Sequence, residues 1–156
     1  MPHSLLPEDP DFATRVRRSF DAQQVMHTLG ASLQRVEPGE IAIVLPFASH
    51  LTQQHDYLHA GVVATIADSA CGYAAMTLTP PGLDVLTVEY KINLLAPAQG
   101  ETFVAVGSVL RRGRLLTVCR GDVLATSNGR EKAVATIQAT IITLERELAT
   151  RARAPA

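Results

Sequence analysis

Asp68 is the only charged residue between Ala60 and Leu78, a stretch that otherwise reads AGVVATIA and SACGYAAMTL. A helix apolar on all sides belongs inside a protein. Carrying an unpaired carboxylate there costs several kcal/mol or drives its pKa upward. One turn away on either side stand Ala64, Thr65, Cys71 and Gly72, so no Lys or Arg of that helix neutralises it. Carboxylates perturbed in this way concentrate at active sites, which makes Asp68 a candidate general base or nucleophile. The structural alternative is an Asp that caps a neighbouring loop. His59 lies nine residues upstream. Alone it reads equally well as a helix cap, and its pairing with Asp68 gives it functional weight. His55, Asp56 and His59 form too sparse a ligand set, with no further cluster, and no metal is expected.

Composition excludes several classes. The chain has 156 residues, 47% hydrophobic and 19% charged, which suits one globular domain spanning 1–156. A formal charge of −1 lacks the basic face that a nucleic-acid partner requires. Cys71 and Cys119, far apart in apolar segments, read as small hydrophobes in a reducing compartment. The start MPHSLLPEDPDF has no basic region followed by an apolar run, so no signal peptide is expected and a cytoplasmic location is. The central Asp and the Ala/Gly/Thr content of 60–78 argue against a membrane span.

The elements that must position Asp68 follow from periodicity. An amphipathic helix is expected over about 10–29, with Asp9 or Asp11 at its start and Gly30 at its end. A hairpin follows, Ala31–Val36 and Glu40–Phe47 around Glu37-Pro38-Gly39. After a polar loop at 48–58 comes the buried helix, stopped by Thr79-Pro80-Pro81-Gly82. In Val85–Leu94, Leu86, Val88, Tyr90, Ile92 and Leu94 alternate with Thr87, Glu89, Lys91 and Asn93, predicting a half-buried strand with Thr87 on its polar face. Strands over 102–110, 115–125 and 132–144 complete the set, with Asn128-Gly129 as a hairpin turn. The tail 145–156 is expected to fray. The fold class is α+β, with one face of an antiparallel sheet wrapping the central helix and the helix's small residues permitting close approach. Open sheet edges invite a second copy.

The run from Leu58 to Asp68, LHAGVVATIAD, resembles the His-Gly-Gly motif with a following Asp found in hotdog-fold acyl-CoA thioesterases, in the phenylacetic-acid-pathway (PaaI-like) branch of the 4-hydroxybenzoyl-CoA thioesterase superfamily. The resemblance continues through Leu86–Ala98 and Arg111–Leu115, covering roughly residues 30–144 in family order. It implies a hotdog fold and a thioester hydrolase (EC 3.1.2.-) with Asp68 as the catalytic carboxylate. It implies that His59 and Ala60 take the place of the family's His-Gly, Ala60 replacing a glycine of the motif, and that the Ala60 backbone amide hydrogen-bonds the thioester carbonyl, beside Gly61. A helix N-terminus suits a developing oxyanion. Gln53 stands where relatives often have Asn, Thr87 where they have a Ser or Thr that holds the water or the carboxylate, and Asp56 where many have Gly.

The resemblance also implies that Asp68 and Thr87 of one subunit meet Gln53, His59 and Ala60 of another. A homodimer is therefore the expected catalytic unit, with a dimer of dimers possible. Arg111, Arg112, Gly113 and Arg114 fall where relatives lie beside the CoA nucleotide; read alone, they are a solvated turn. No cofactor is implied, since CoA is part of the substrate. Two other readings stay open: a hotdog hydratase acting on enoyl or 3-hydroxyacyl thioesters, and a non-catalytic acyl-CoA-binding module.

Overall fold

The computed structural model describes residues 5–145, so the expected fraying of the tail beyond Glu145 lies outside the described residues. Two short helices, α1 (Phe12–Asp21) and α2 (Gln24–Leu29), precede the hairpin of β1 (Ser32–Glu37) and β2 (Glu40–Pro46). The long helix α3 (Ala60–Met76) follows, and then β3 (Leu83–Leu94), β4 (Thr102–Arg112), β5 (Leu116–Ser127) and β6 (Arg130–Glu145). All pairings are antiparallel and the sheet order is β1-β2-β4-β5-β6-β3. The expected α+β arrangement is present: one sheet curls around one long apolar helix.

Close approach of helix and sheet depends on glycines of the sheet. A Cβ on Gly107 would overlap the Ala70 carbonyl, and one on Gly121 would stand 2.6 Å from Ile137 and 3.0 Å from the Cys71 sulfur. On the helix side Ala67, Ala70 and Ala74 are fully buried, as expected, whereas Ala60 and Gly61 are exposed and Ala64 and Gly72 only partly covered. The expectation that all the small residues of α3 pack on the sheet therefore fails for one face of the helix.

Two further expectations are corrected. The N-terminal helix is broken at Ala22-Gln23, where Gln23 turns extended (φ −83°, ψ 97°) although the apolar spacing runs on. More consequential is β3, which is an edge strand with Leu86, Val88, Tyr90 and Leu94 all about half exposed. A bulge at Val88 also breaks its alternation, because Thr87 pairs with Ile141 and Glu89 with the next residue, Thr140. Beyond the bulge Tyr90, Ile92 and Leu94 pair with Ala139, Ile137 and Ala135. Those partners and Ile141 are buried against α3, so Thr87 shares the helix-facing side with Tyr90, Ile92 and Leu94 instead of opposing them.

The C-terminal end of α3 is held by a side chain of α1. The guanidinium of Arg15 donates to the carbonyls of Met76 (3.1 Å), Thr79 (2.6 Å) and Pro80 (2.8 Å), while its Nε stands 3.1 Å from Asp9 Oδ2. A cation suits a helix C-terminus, where the last carbonyls lack helical partners. Asp9 also accepts from the Asp11 amide at 2.9 Å, fixing the turn into α1. Replacing Arg15 by Met should cost about 3 kcal/mol, since it strands the buried Asp9 carboxylate and several carbonyls. Urea unfolding of the variant would measure that loss, and a change under about 0.5 kcal/mol would show the clamp to be dispensable.

Candidate active site

His59 is the N-cap of α3, with extended backbone (φ −61°, ψ 136°) and its Nδ1 accepting from the Gly61 amide at 2.9 Å. Its carbonyl takes the Val62 and Val63 amides, and its own amide donates to Leu51. A Cβ at position 61 would stand 3.1 Å from that Nδ1, so glycine there lets the ring fold against the helix start. With Nδ1 as acceptor, the neutral imidazole carries its proton on Nε2. Among the described residues no bond takes up the amide of Ala60, and His59 and Ala60 are both exposed.

The loop before the helix is tied by its own polar groups. Gln53 accepts the His55 amide on its side-chain oxygen, its backbone amide donates to Tyr57 at 2.9 Å, and its carbonyl takes the Asp56 amide. Asp56 adopts φ 64°, the left-handed region that glycine favours, at the position where the resemblance had set Asp against glycine. Gln53 and Ala60 line one side of an open cavity of about 440 Å³ whose other wall is Leu94, Leu95, Pro97 and Val134.

Two turns further along α3, the Thr87 hydroxyl donates to Asp68 Oδ1 at 2.8 Å. Burial pushes the Asp68 carboxyl above its ordinary value of 3.8, and the Thr87 hydrogen bond opposes that rise by favouring the anion. Asp68 itself is only partly buried, on the less covered side of the helix with Ala64, Thr65 and Gly72. Cys71 lies one turn on with its thiol buried and pushed far up, and burial lifts the Cys119 thiol to about 12, so both are inert thiols.

The expected site residues thus fall into three groups. Asp68 and Thr87 meet; Gln53, His59, Ala60 and Gly61 cluster at the start of α3; the arginine turn stands apart. Eight helical residues separate Ala60 from Asp68, about 12 Å of rise, so a single carbonyl group cannot touch both within one chain. Arg112, Gly113 and Arg114 border another cavity, of about 500 Å³, with Glu8, Thr79, Pro80 and Leu83, near the C-terminal end of α3. Arg112 is ion-paired there with Glu8, and Arg111 and Arg114 are exposed.

The model of the family described as "Thioesterase superfamily" matches residues 55–132, half of the chain, including both the start of α3 and the Asp68–Thr87 pair. The chain belongs to the thioesterase superfamily. It is similar to the crystal structure of a thioesterase family protein from Silicibacter pomeroyi, at 47% identity and TM-score 0.85, over 86% of this chain and 98% of that one. It shares its fold with a thioesterase of Haemophilus influenzae (19% identity, TM-score 0.74, covering 81% and 87%). The PaaI protein of the Escherichia coli phenylacetic acid degradation operon has it too (18%, TM-score 0.77, 86% and 94%). The fold is the hotdog fold of this superfamily, and no described helix is long and apolar enough to cross a membrane.

Within this thioesterase superfamily chain, sequence reasoning missed the supporting shell around Asp68. Ser69 donates to Gln23 at 3.3 Å, Tyr73 shares a 3.4 Å hydrogen bond with Ser19, and Phe20 and Tyr73 pack tilted, with ring centroids 5.8 Å apart and planes at 57°. No local signal marks it, because the apolar spacing runs unbroken through Ala22-Gln23, where the turn of the chain brings Gln23 to the residue after Asp68. Because Asp68 is harder to ionise folded than unfolded, the folded state holds its proton more tightly. That group's cost is therefore absent below pH 3.8, grows as pH rises above it, and is complete once the raised value is passed. Asp68→Asn should accordingly match the wild type in thermal stability at pH 3 and exceed it at pH 7. Melting curves at both values test this, and an Asn variant less stable at pH 7 would refute it.

Proposed function

We propose that the protein is an acyl-CoA thioesterase, with Asp68 as the catalytic carboxylate and active sites shared between two protomers. The observation that carries the reading is Asp68 itself: a partly buried carboxylate on an apolar helix, with no helical cation, held by one hydroxyl. A thioester needs little more than this. Asp68 takes a proton from a water whose oxygen adds to the thioester carbonyl, or attacks that carbon itself to give a mixed anhydride that water then hydrolyses. The tetrahedral oxyanion is held by the free Ala60 amide and the positive end of α3, and the CoA thiolate leaves and is protonated.

The 12 Å between Ala60 and Asp68 supports a shared site. If two β3 edges pair antiparallel about a two-fold axis, each α3 lies antiparallel to its partner. An axis level with the midpoint of Ala60 and Asp68, near residue 64, places the partner's Ala60 beside Asp68. On β3 that level falls between Thr87, which meets Asp68, and Leu94, which meets Ala60 across the cavity, and so close to Tyr90. Pairing there covers the apolar side chains that the edge exposes. The same arrangement supplies His59 and Gln53 to the partner's thioester. For the CoA nucleotide, Arg114 is the better placed phosphate ligand, because Glu8 already engages Arg112.

Asp68→Asn should reduce release of CoA thiol by at least ~10²-fold with the fold intact. Thr87→Val should leave measurable activity but shift the acidic limb of the kcat/KM–pH profile upward, since the hydroxyl that favours the anion is gone. An unmoved limb would remove Asp68 ionisation from the mechanism. Mixed and exchanged Asp68→Asn and Gln53→Ala protomers should recover activity in the heterodimer, which keeps one site free of both changes. No recovery after verified exchange would place the whole site in one chain. A panel of acyl-CoAs followed by thiol release, with enoyl-CoA hydration monitored in parallel, separates hydrolysis from hydratase chemistry and from simple binding.

A further inference from the structure

Glu8 is the one acidic side chain lining the cavity of about 500 Å³ near the C-terminal end of α3, and the other charged residues there are Arg112 and Arg114. The two arginines flank Gly113, where a Cβ would stand 2.6 Å from the Leu116 carbonyl oxygen. Glycine thus permits a turn tight enough to bring both arginines to one cavity. Arg112 is ion-paired with Glu8, a contact between residues 104 positions apart. Arg114 is exposed, and among the described residues no ion pair takes up its guanidinium. Two cations facing one anion suit a negatively charged ligand, and the anion already present belongs to the chain itself.

The backbone that carries Glu8 is fixed on both sides. Leu5 packs against the core over the β1–β2 turn, where a Cβ on Gly39 would stand 2.5 Å from its Cδ1. Gly39 in turn donates its amide to the Thr77 hydroxyl at 2.7 Å. On the other side Asp9 is buried, held by Arg15 and by the Asp11 amide. Pro7 and Pro10 stiffen the short span between and after these anchors. The Glu8 carboxylate is held less firmly, because its side chain is half exposed and exposed ion pairs are weak. A phosphate ester offers a guanidinium paired acceptors and a higher charge, so it can take Arg112 from Glu8. Once displaced, Glu8 still stands beside the new anion, since its backbone has not moved, and repels it.

We propose that Glu8 is a built-in competitor for phosphate: it occupies Arg112 until a phosphate ester of the ligand, met first by Arg114, displaces it. This rests on the acyl-CoA reading and adds to it an autoinhibitory contact made by the N-terminal segment. The consequence is a weaker hold on every phosphate-bearing ligand, acyl-CoA and spent CoA alike, so that the product leaves sooner. Neither the acyl group nor Asp68 takes part, and a thioester that lacks the nucleotide is indifferent to Glu8.

The test titrates wild type, Glu8→Gln and Arg112→Ala with adenosine 3′,5′-bisphosphate by calorimetry, and compares hydrolysis of an acyl-CoA with that of the matching acyl-pantetheine. Glu8→Gln should bind the bisphosphate at least ~3-fold more tightly and lower both the KM for acyl-CoA and the inhibition constant of free CoA, with acyl-pantetheine unaffected. Arg112→Ala should bind the bisphosphate more weakly than wild type. Glu8 is exposed, so its Gln variant should keep the wild-type melting temperature. Unchanged bisphosphate binding by Glu8→Gln would overturn the proposal, and weaker binding would do so by making Glu8 a support for Arg112 instead of its competitor. Binding indifferent to Arg112→Ala, no binding by any of the three proteins, or equal changes on the two substrates would overturn it as well. Wild-type protein inactive on every acyl-CoA would remove the thioesterase reading, while calorimetry, which needs no turnover, would still decide the role of Glu8.

Discussion

The sheet approaches α3 to backbone contact at Gly107 against Ala70, while Gly121 leaves room for the Cys71 sulfur, and the rest of the molecule is arranged around that closeness. Where two backbones touch, neither rotation nor sliding of the helix is possible without overlap. Asp68 is consequently placed by the helix it rides on, needing only one hydrogen bond of its own. Arg15 completes the restraint by tying the last carbonyls of α3 to α1. A carboxylate with few bonds in a partly apolar setting is costly, and a rigid frame keeps the chain from relieving that cost by moving the group to water.

Much of this frame was legible in the sequence because it depends on local chemistry. Asn128-Gly129, with φ 50° and 72°, forms the hairpin turn its dipeptide announces, and Gly30 ends α2 in the left-handed conformation. The His59–Gly61 contact is equally local, two residues apart. What escaped the sequence is long-range or a matter of one residue. Nothing in the heptapeptide around Val88 marks a bulge, because apolar residues fall on both sides of it and strict alternation explains them equally well. The Arg15 clamp joins residues more than sixty positions apart. The break at Ala22-Gln23 leaves the helical spacing of apolar residues intact, so periodicity passes through it.

The bulge at Val88 links these levels. In a regular strand Thr87 and Tyr90 would face opposite ways, and turning Tyr90, Ile92 and Leu94 to the helix would turn Thr87 to the outside. The inserted residue lets both point inward, so the hydroxyl reaches Asp68 while the apolar residues continue along the helix-facing side. A bulge on an edge strand commonly protects it from pairing by twisting it away. Here the six residues beyond it, Glu89 to Leu94, remain extended and paired with β6.

An edge of that length with apolar side chains on its inner face is stable in water only if something covers it. On the proposed reading the cover is a second protomer, and the surface that drives association also adjoins the chemistry. Ala60 and Asp68 mark the two half-sites on one helix, and the rise of about 12 Å between them sets how far each partner must be offset. Assembly and catalysis are then one geometric condition: a register slip of two residues along β3 moves the partner's Ala60 about 7 Å from its place beside Asp68, enough to separate oxyanion donor from carboxylate while leaving every protomer folded.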